Sequence, residues 1–494
     1  MAREKMSSVD TAWLRMDSPQ NLMMIIGFQV FEQRMELRLL RELLEKRLLK
    51  FKRFRQKVET DATGAWWVTD RQFDLDNHLT TVQLPGVGDQ AQLQAMIGEL
   101  ASQALDPRRP LWHFHIVENY DGSNALISRI HHCIADGMAL VAVMMSLTDG
   151  TGVDDDKADN ADKAGNPDDD QRGRTADEWE SNPWQPYVRP ITKGTIKAIN
   201  ATASAWTKSL EILAQPDKLV GYGEVASQVV KDALRIALMP NDSSTSLKGK
   251  PGTRKAVAWN KPLPLDEVKT VCKALGASIN DVLLSCVAGA LRSYLIANDE
   301  DTQDCEIRAM VPVNLRPLTQ VHRLGNRFGL VPLTLPVGMA NPIARLREVH
   351  ARMDELKGGY QALLAFGVLG VLGSTPKPVQ TFVLDMLANK ATAVMTNVPG
   401  PAQPIHMAGT AVSRIMFWVP QSGNVGLGVS ILSYNGGVQF GVITDTRLCP
   451  EPQKIIDGFA PEFEKLVLLL AMLPAEMFND PSIEAEQFEQ ALFG

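Results

Sequence analysis

Residues 124–145 hand a strand directly to a buried helix, and that junction constrains the fold more than any other stretch of the chain. Asn124-Ala125-Leu126-Ile127-Ser128-Arg129-Ile130 has the alternation of an extended segment. Met138-Ala139-Leu140-Val141 and Met144-Met145 read as a helix with little exposed face. Between them stands His131-His132-Cys133-Ile134-Ala135-Asp136-Gly137, an HHxxxDG box. Successive strand side chains point to opposite faces, so His132 shares a face with Leu126, Ser128 and Ile130 while His131 points away with Ile127 and Arg129. Adjacent strand histidines grip one metal ion poorly, so a two-histidine metal site is disfavoured. An imidazole at a strand-to-helix junction suits a general base, because its ordinary pKa lies near neutrality. Asp136, one helical turn on, either orients the ring or braces the turn, and Gly137 leaves room for a close approach. The plainer reading is a buried histidine beside a capping carboxylate.

At 494 residues the chain exceeds a single core, and two domains are expected. Strand and helix signals mix in both halves. Residues 24–30 and 126–130 read as strands, 37–49 as a helix, and 73–76 followed by His78 as an extended segment. Further on, 256–259, 308–313 and 330–335 read as strands and 278–296 as a long buried helix. Residues 426–433 and 438–444 flank Asn435-Gly436, a hairpin signal. The pattern predicts an α/β architecture of two sandwiches rather than a bundle or barrel.

The boundaries expected are an N-terminal domain over 1–150, an Asp-rich mobile loop over 151–190, a helical connector over 191–250 and a C-terminal domain over 251–494. Residues 154–170 hold eight Asp and two Lys, which accounts for six of the seven net negative charges. The folded remainder is nearly neutral, with no pull towards nucleic acid. In the connector, Ile196, Ile199, Ala203, Trp206, Leu210 and Leu213 form an amphipathic stripe. It fits either a helix packed on the domains or one lying on a membrane surface.

Five scattered cysteines (Cys133, Cys272, Cys286, Cys305, Cys449) contain no CxxC pair, so neither a disulfide framework nor a zinc site is expected. No signal-peptide-like segment opens the chain, and the apolar runs 362–373 and 466–473 fall short of the roughly 20 residues of a membrane span. A cytoplasmic setting is the expectation. There is no Walker-type loop, no GxGxxG between strand and helix, and no GxSxG elbow.

Other constellations carry either packing or chemistry. Pro110-Leu111-Trp112 fixes an extended entry and places a large aromatic anchor. Ser278 and Asp281 form a capping-box pattern at the start of the 278–296 helix, while the Asn280 amide is free to donate to a developing oxyanion. Thr396-Asn397-Val398-Pro399-Gly400-Pro401 is a rigid turn, and Arg316 closes a strand with a permanent charge suited to an ion pair or a phosphate.

Together these pieces resemble the bacterial wax ester synthase/acyl-CoA:diacylglycerol acyltransferase family. That family lies within the wider HHxxxDG group of chloramphenicol acetyltransferase, plant alcohol acyltransferases and condensation domains. HHxxxDG marks the wider group; Pro110-Leu111-Trp112, Asn280-Asp281 and Asn397-Val398-Pro399-Gly400-Pro401 narrow it, over a span from Asp10 to Asp445. The resemblance implies two chloramphenicol acetyltransferase-like domains, each a mixed sheet with flanking helices, and an active-site tunnel at their interface. It implies an O-acyltransferase that moves a long-chain acyl group from acyl-CoA to a fatty alcohol or diacylglycerol, with His132 as general base, no acyl-enzyme and no cofactor beyond the co-substrate. Asn280 would support the oxyanion. Asp136 would be structural and turn towards an arginine, Arg55 or Arg316. His131, Gly137, Trp112 and Asp281 are the candidate substrate-binding positions, and no metal is expected. The implied setting is peripheral attachment to the inner membrane or to lipid inclusions. Two alternatives stay open: the same fold acting on an amine or carrier-bound substrate, and a non-catalytic protein coating lipid droplets.

Overall fold

Met24-Ile25-Ile26-Gly27-Phe28-Gln29-Val30-Phe31 is buried along its whole length, and that strand sits at the middle of a six-stranded sheet. The computed structural model describes residues 3–62, 64–149, 239–315, 324–357 and 389–472. The Asp-rich loop, residues 191–238 of the helical connector, the run 362–373 and Arg316 lie outside the described residues.

The six-stranded sheet runs in the order His406–Met407, Thr410–Trp418, Met24–Phe31, Ser123–His131, Trp112–Tyr120, Leu79–Val82. Only its last pair is parallel. A second, larger sheet has the order Phe328–Leu335, Ile307–Asn314, Ala393–Pro399, Leu427–Tyr434, Gly437–Asp445, Lys255–Trp259, with Leu263–Pro264 also paired to Gly437–Asp445. Its two inner junctions at Ala393–Pro399 are parallel and the rest antiparallel. A small three-stranded sheet joins Arg3–Lys5, Gly64–Thr69 and Gln56–Asp61. Mixed sheets with flanking helices are therefore present in both halves.

Local chemistry explains most of the elements. Asn435 and Gly436 both take positive φ, 46° and 74°, which is the mirror-image turn that matches strand twist in a two-residue hairpin. The helix Ile279–Ala297 starts on a true capping box, with Ser278 and Asp281 satisfying each other's backbone amides. It is long and apolar enough to cross a membrane by composition, yet its residues from Asp281 to Leu291 are buried against Pro452–Ala471 and Pro342–Lys357, so it is a core helix. The segment 73–76 departs from the extended expectation. The Asp74 carboxylate accepts the Asp76 amide at 3.0 Å and caps a short helical turn over Leu75–Asn77.

The two lobes are not independent units. Thr410–Trp418 lies within the expected C-terminal domain but pairs with Met24–Phe31, so the division at residue 250 separates the chain without separating the sheets. Behind that pairing, Phe28 packs on Trp259 with ring centroids 4.5 Å apart, and Trp259 lies 5.9 Å from Trp418. One apolar cluster thus spans both sheets.

The crossing depends on Gly27, where an added Cβ would stand 2.7 Å from Phe417 Cβ and 2.8 Å from the Met416 carbonyl oxygen. Gly27→Val should cost about 1–3 kcal/mol, the usual range for overpacking, read as a lowered urea midpoint. An unchanged midpoint would mean that this close approach is not needed.

Candidate active site

The Ser123–His131 strand ends in a tight turn, and two backbone bonds fix where it ends. The His131 amide donates to the Leu111 carbonyl at 2.9 Å and the His132 amide to the Met23 carbonyl at 2.7 Å. The two imidazoles then separate. His131 is buried, its Nδ1 accepting the Cys133 amide at 3.1 Å and its Nε2 lying 3.6 Å from Asp17. His132 turns into the gap between the lobes. Its ring stacks on Trp13 at 4.2 Å and 15°, and Phe328 of the C-terminal half lies 5.5 Å away.

His132 is only 3% exposed, and its Nδ1 is buried without a hydrogen-bond partner. Burial pushes the ring's pKa down from 6.5 to about 4, the Asp136 carboxylate opposing the shift. The imidazole is therefore neutral at pH 7 and carries a lone pair available to accept a proton.

Asp136 serves the architecture. One carboxylate oxygen accepts the Ala139 amide at 2.8 Å and caps the helix Gly137–Ser146; the other accepts the Arg327 amide at 2.9 Å. Ala135 and Gly325 form an isolated parallel bridge beside it, with the Asp136 amide donating to the Gly325 carbonyl and the Gly325 amide to the Ile134 carbonyl. The box is thus stitched to the segment that leads into Phe328–Leu335. Arg55 is exposed while Asp136 is buried.

Next to this seam, Asn326 donates its side-chain amide to Asp10 at 2.7 Å and to the His132 carbonyl at 2.8 Å. Its backbone amide also reaches Asp10, at 3.1 Å. Trp13, Phe328 and Asn326 had no role in the sequence reading, because only the folded chain brings residues so far apart to one ring. The nearest local signal is Gly325, whose positive φ of 102° marks a turn.

Ile130 and Gly137, on either side of His132, both line an apolar cavity. Met144, Phe417, Val398 and Pro401 contribute other walls, so the box, its helix, the crossing strand and the Asn397-to-Pro401 turn converge on one space. A Cβ at Gly137 would meet nothing within 4 Å. Of the four candidate substrate-binding positions, only Gly137 lines this cavity. His131 is held as described. Trp112 is core: its indole donates to the Phe54 carbonyl at 2.9 Å and its ring stacks on His78. Asp281 is wholly buried, capping its helix and accepting from or bonding to His350 Nδ1 at 2.7 Å.

Asn280 is exposed, and its amide oxygen accepts from the Asn397 side chain at 2.7 Å. Two motifs far apart in sequence are therefore joined directly. All five cysteines are buried, and burial raises each thiol pKa, that of Cys133 well above its ordinary value. Among the described residues, no cluster of three His, Cys, Asp or Glu side chains is arranged to hold a metal ion.

Comparison with known proteins identifies the family and the fold. The "Wax ester synthase/diacylglycerol acyltransferase catalytic domain" matches residues 6–283, and the "WS/DGAT C-terminal domain" matches residues 324–467. A Mycobacterium tuberculosis protein named a probable diacylglycerol O-acyltransferase is 27% identical over 438 residues, which is 86% of this chain and 87% of the relative. The solved wax ester synthase/diacylglycerol acyltransferase from Marinobacter aquaeolei shares the fold with a TM-score of 0.64 at 21% identity, covering 95% of this chain and 100% of that one. The first condensation domain of the calcium-dependent antibiotic synthetase, solved with a substrate analogue, shares it with a TM-score of 0.58 at 13% identity over 99% of each chain. With more than half of its length matched by the catalytic-domain family, this chain belongs to the wax ester synthase/diacylglycerol acyltransferase family of acyltransferases.

Proposed function

We propose that this enzyme transfers a long-chain acyl group from acyl-CoA directly to the hydroxyl of a fatty alcohol or a diacylglycerol, with His132 as general base. The observation that carries the reading is a neutral, buried imidazole in the segment between Ile130 and Gly137, both of which line an apolar cavity. His132 takes the proton from the acceptor hydroxyl through its Nε2, and the oxygen attacks the thioester carbonyl. The tetrahedral oxyanion collapses, the carbon–sulfur bond breaks, and the departing CoA thiolate receives the proton back from the imidazolium. Proton and charge balance within the cycle, and the ring returns to its starting state.

Asn280 is the proposed oxyanion donor, since Asn397 occupies its amide oxygen and leaves its NH2 for a substrate. Raised thiol pKa values argue against a cysteine nucleophile and for single-step transfer. The reaction draws on no cofactor besides acyl-CoA as co-substrate. We place the protein in the cytoplasm, attached peripherally to the inner membrane or to lipid inclusions, where apolar acceptors accumulate.

Thiol release from palmitoyl-CoA with hexadecanol or diacylglycerol tests the reading. His132→Ala should lower turnover by at least about 100-fold with the fold retained, the scale expected for loss of a general base. Near-normal turnover in a folded His132→Ala protein would overturn the assignment, and amine acceptors outrunning alcohols would overturn the O-acyl chemistry. The pH profile supplies a second check. The base must be neutral to act and its pKa is lowered to about 4, so activity should hold as pH falls through 6.5 and decline only near that lower value. An acid limb centred at or above 6.5 would contradict a buried base.

A further inference from the structure

We infer that Gln29 is a specificity residue, which fits the apolar cavity to a long chain carrying a hydroxyl near its far end rather than to the same chain ending in a methyl group. Along the strand Met24–Phe31, Ile25, Gly27 and Gln29 share a face that lines the cavity, while Ile26 and Val30 pack on the other face in the cluster around Trp259 and Trp418. Most of the remaining wall is apolar, and the Tyr434 hydroxyl within it is already bonded to the Ile405 amide at 2.9 Å and the Val412 carbonyl at 2.6 Å. Gln29 differs. It is 6% exposed, and among the described residues its side-chain oxygen is buried without a donor. An orphaned amide oxygen in a dry wall costs stability until a partner meets it. A hydroxyl both donates and accepts, so it can pair with either end of the carboxamide, whereas a hydrocarbon pairs with neither. Ser128 adds a second polar side chain to the same wall, diagonal to Gln29, because Gly27 faces Ser128 and Gln29 faces Leu126 across the strand pair.

Position decides which part of a substrate can reach this amide. Ile25 pairs with Ile130 at the end of the cavity that belongs to the box segment, and Gln29 lies two rows further along the same strand pair. Gly137 and Met145 both line the cavity about two helical turns apart, so it has length as well as width. Leu126, which Gln29 faces, stands six residues before His132, a span of about 20 Å at the rise of an extended strand. An extended hydrocarbon with C–C bonds of about 1.5 Å advances roughly 1.25 Å per carbon, so a chain reacting at His132 meets Gln29 at about its sixteenth carbon. The ester oxygens of a diacylglycerol lie within a few bonds of its free hydroxyl, too near the reacting end to be the group that Gln29 meets. The partner is a second oxygen at the remote end of a long chain, carried by the acyl donor or by the alcohol.

The inference rests on the proposed acyl transfer, and its test separates the two. Full-length enzyme is given equimolar palmitoyl-CoA and 16-hydroxypalmitoyl-CoA with excess hexadecanol, and the ratio of the two ester products is read by mass spectrometry. A parallel mixture offers palmitoyl-CoA with equimolar hexadecanol and 1,16-hexadecanediol, where the two equivalent ends of the diol account for only about a twofold bias. One of the mixtures should favour the hydroxylated chain by about tenfold, the scale of one buried hydrogen bond gained. Which mixture does so tells whether the donor or the acceptor chain lies in the cavity. Gln29→Leu should remove that preference while keeping turnover of palmitoyl-CoA with hexadecanol. Absence of the preference from both wild-type mixtures would overturn the inference and leave acyl transfer intact, without any variant having to fold. A preference unchanged in a folded Gln29→Leu protein would overturn the assignment to this residue. If no ester forms from any pair, acyl transfer itself fails, and titration calorimetry of the same thioesters and alcohols still decides: tighter binding of a hydroxylated chain that is lost in Gln29→Leu supports the inference, and equal binding overturns it.

Discussion

The Asp136 carboxylate is where the two halves of this molecule are held to one another beside His132, the proposed base. It caps its own helix and, with its second oxygen, accepts the backbone amide of Arg327. A buried carboxylate that satisfies two otherwise orphaned amides is strongly held, and removing it would leave both donors unpaired in a dry seam. Because Gly325, Asn326 and Phe328 arrive with that amide, the same bond brings the groups that surround His132. The box is therefore a joint as well as the place of the proposed base.

The seam explains how a weakly basic imidazole can serve. Trp13 and Phe328 pack on the ring and exclude water from it, and the apolar cavity is lined by Ile130 and Gly137 of the same segment. In such a setting a proton taken from a hydroxyl is transferred over one short bond with little solvent to rearrange. A strand from the C-terminal half, paired into the first sheet, supplies Phe417 to the cavity wall.

What the sequence made legible was local chemistry. The Ser278–Asp281 capping box and Asn435-Gly436 act through neighbours a few residues away, and each appears in the structure as its spacing predicts. Strand parity separated His132 from His131 for the same reason. Thr410–Trp418 was not picked out as a strand from the sequence, and its pairing with Met24–Phe31 is fixed by Gly27 and the tryptophan cluster. Trp112 looked equally suited to packing and binding, and only its bond to Phe54 and its stack on His78 decide for packing. Asn326 and Trp13 were illegible because their partners lie hundreds of residues or a lobe away. At residues 73–76 a single Asp side chain outweighed the extended pattern.

The central claim is direct transfer from thioester to hydroxyl at a base that is never acylated. Rapid-quench measurement of CoA thiol release on mixing enzyme with palmitoyl-CoA, with and without hexadecanol, tests it most directly. The account predicts no thiol burst and no gain in protein mass without the alcohol, and steady release once it is present. A burst stoichiometric with enzyme in the absence of any acceptor would contradict it.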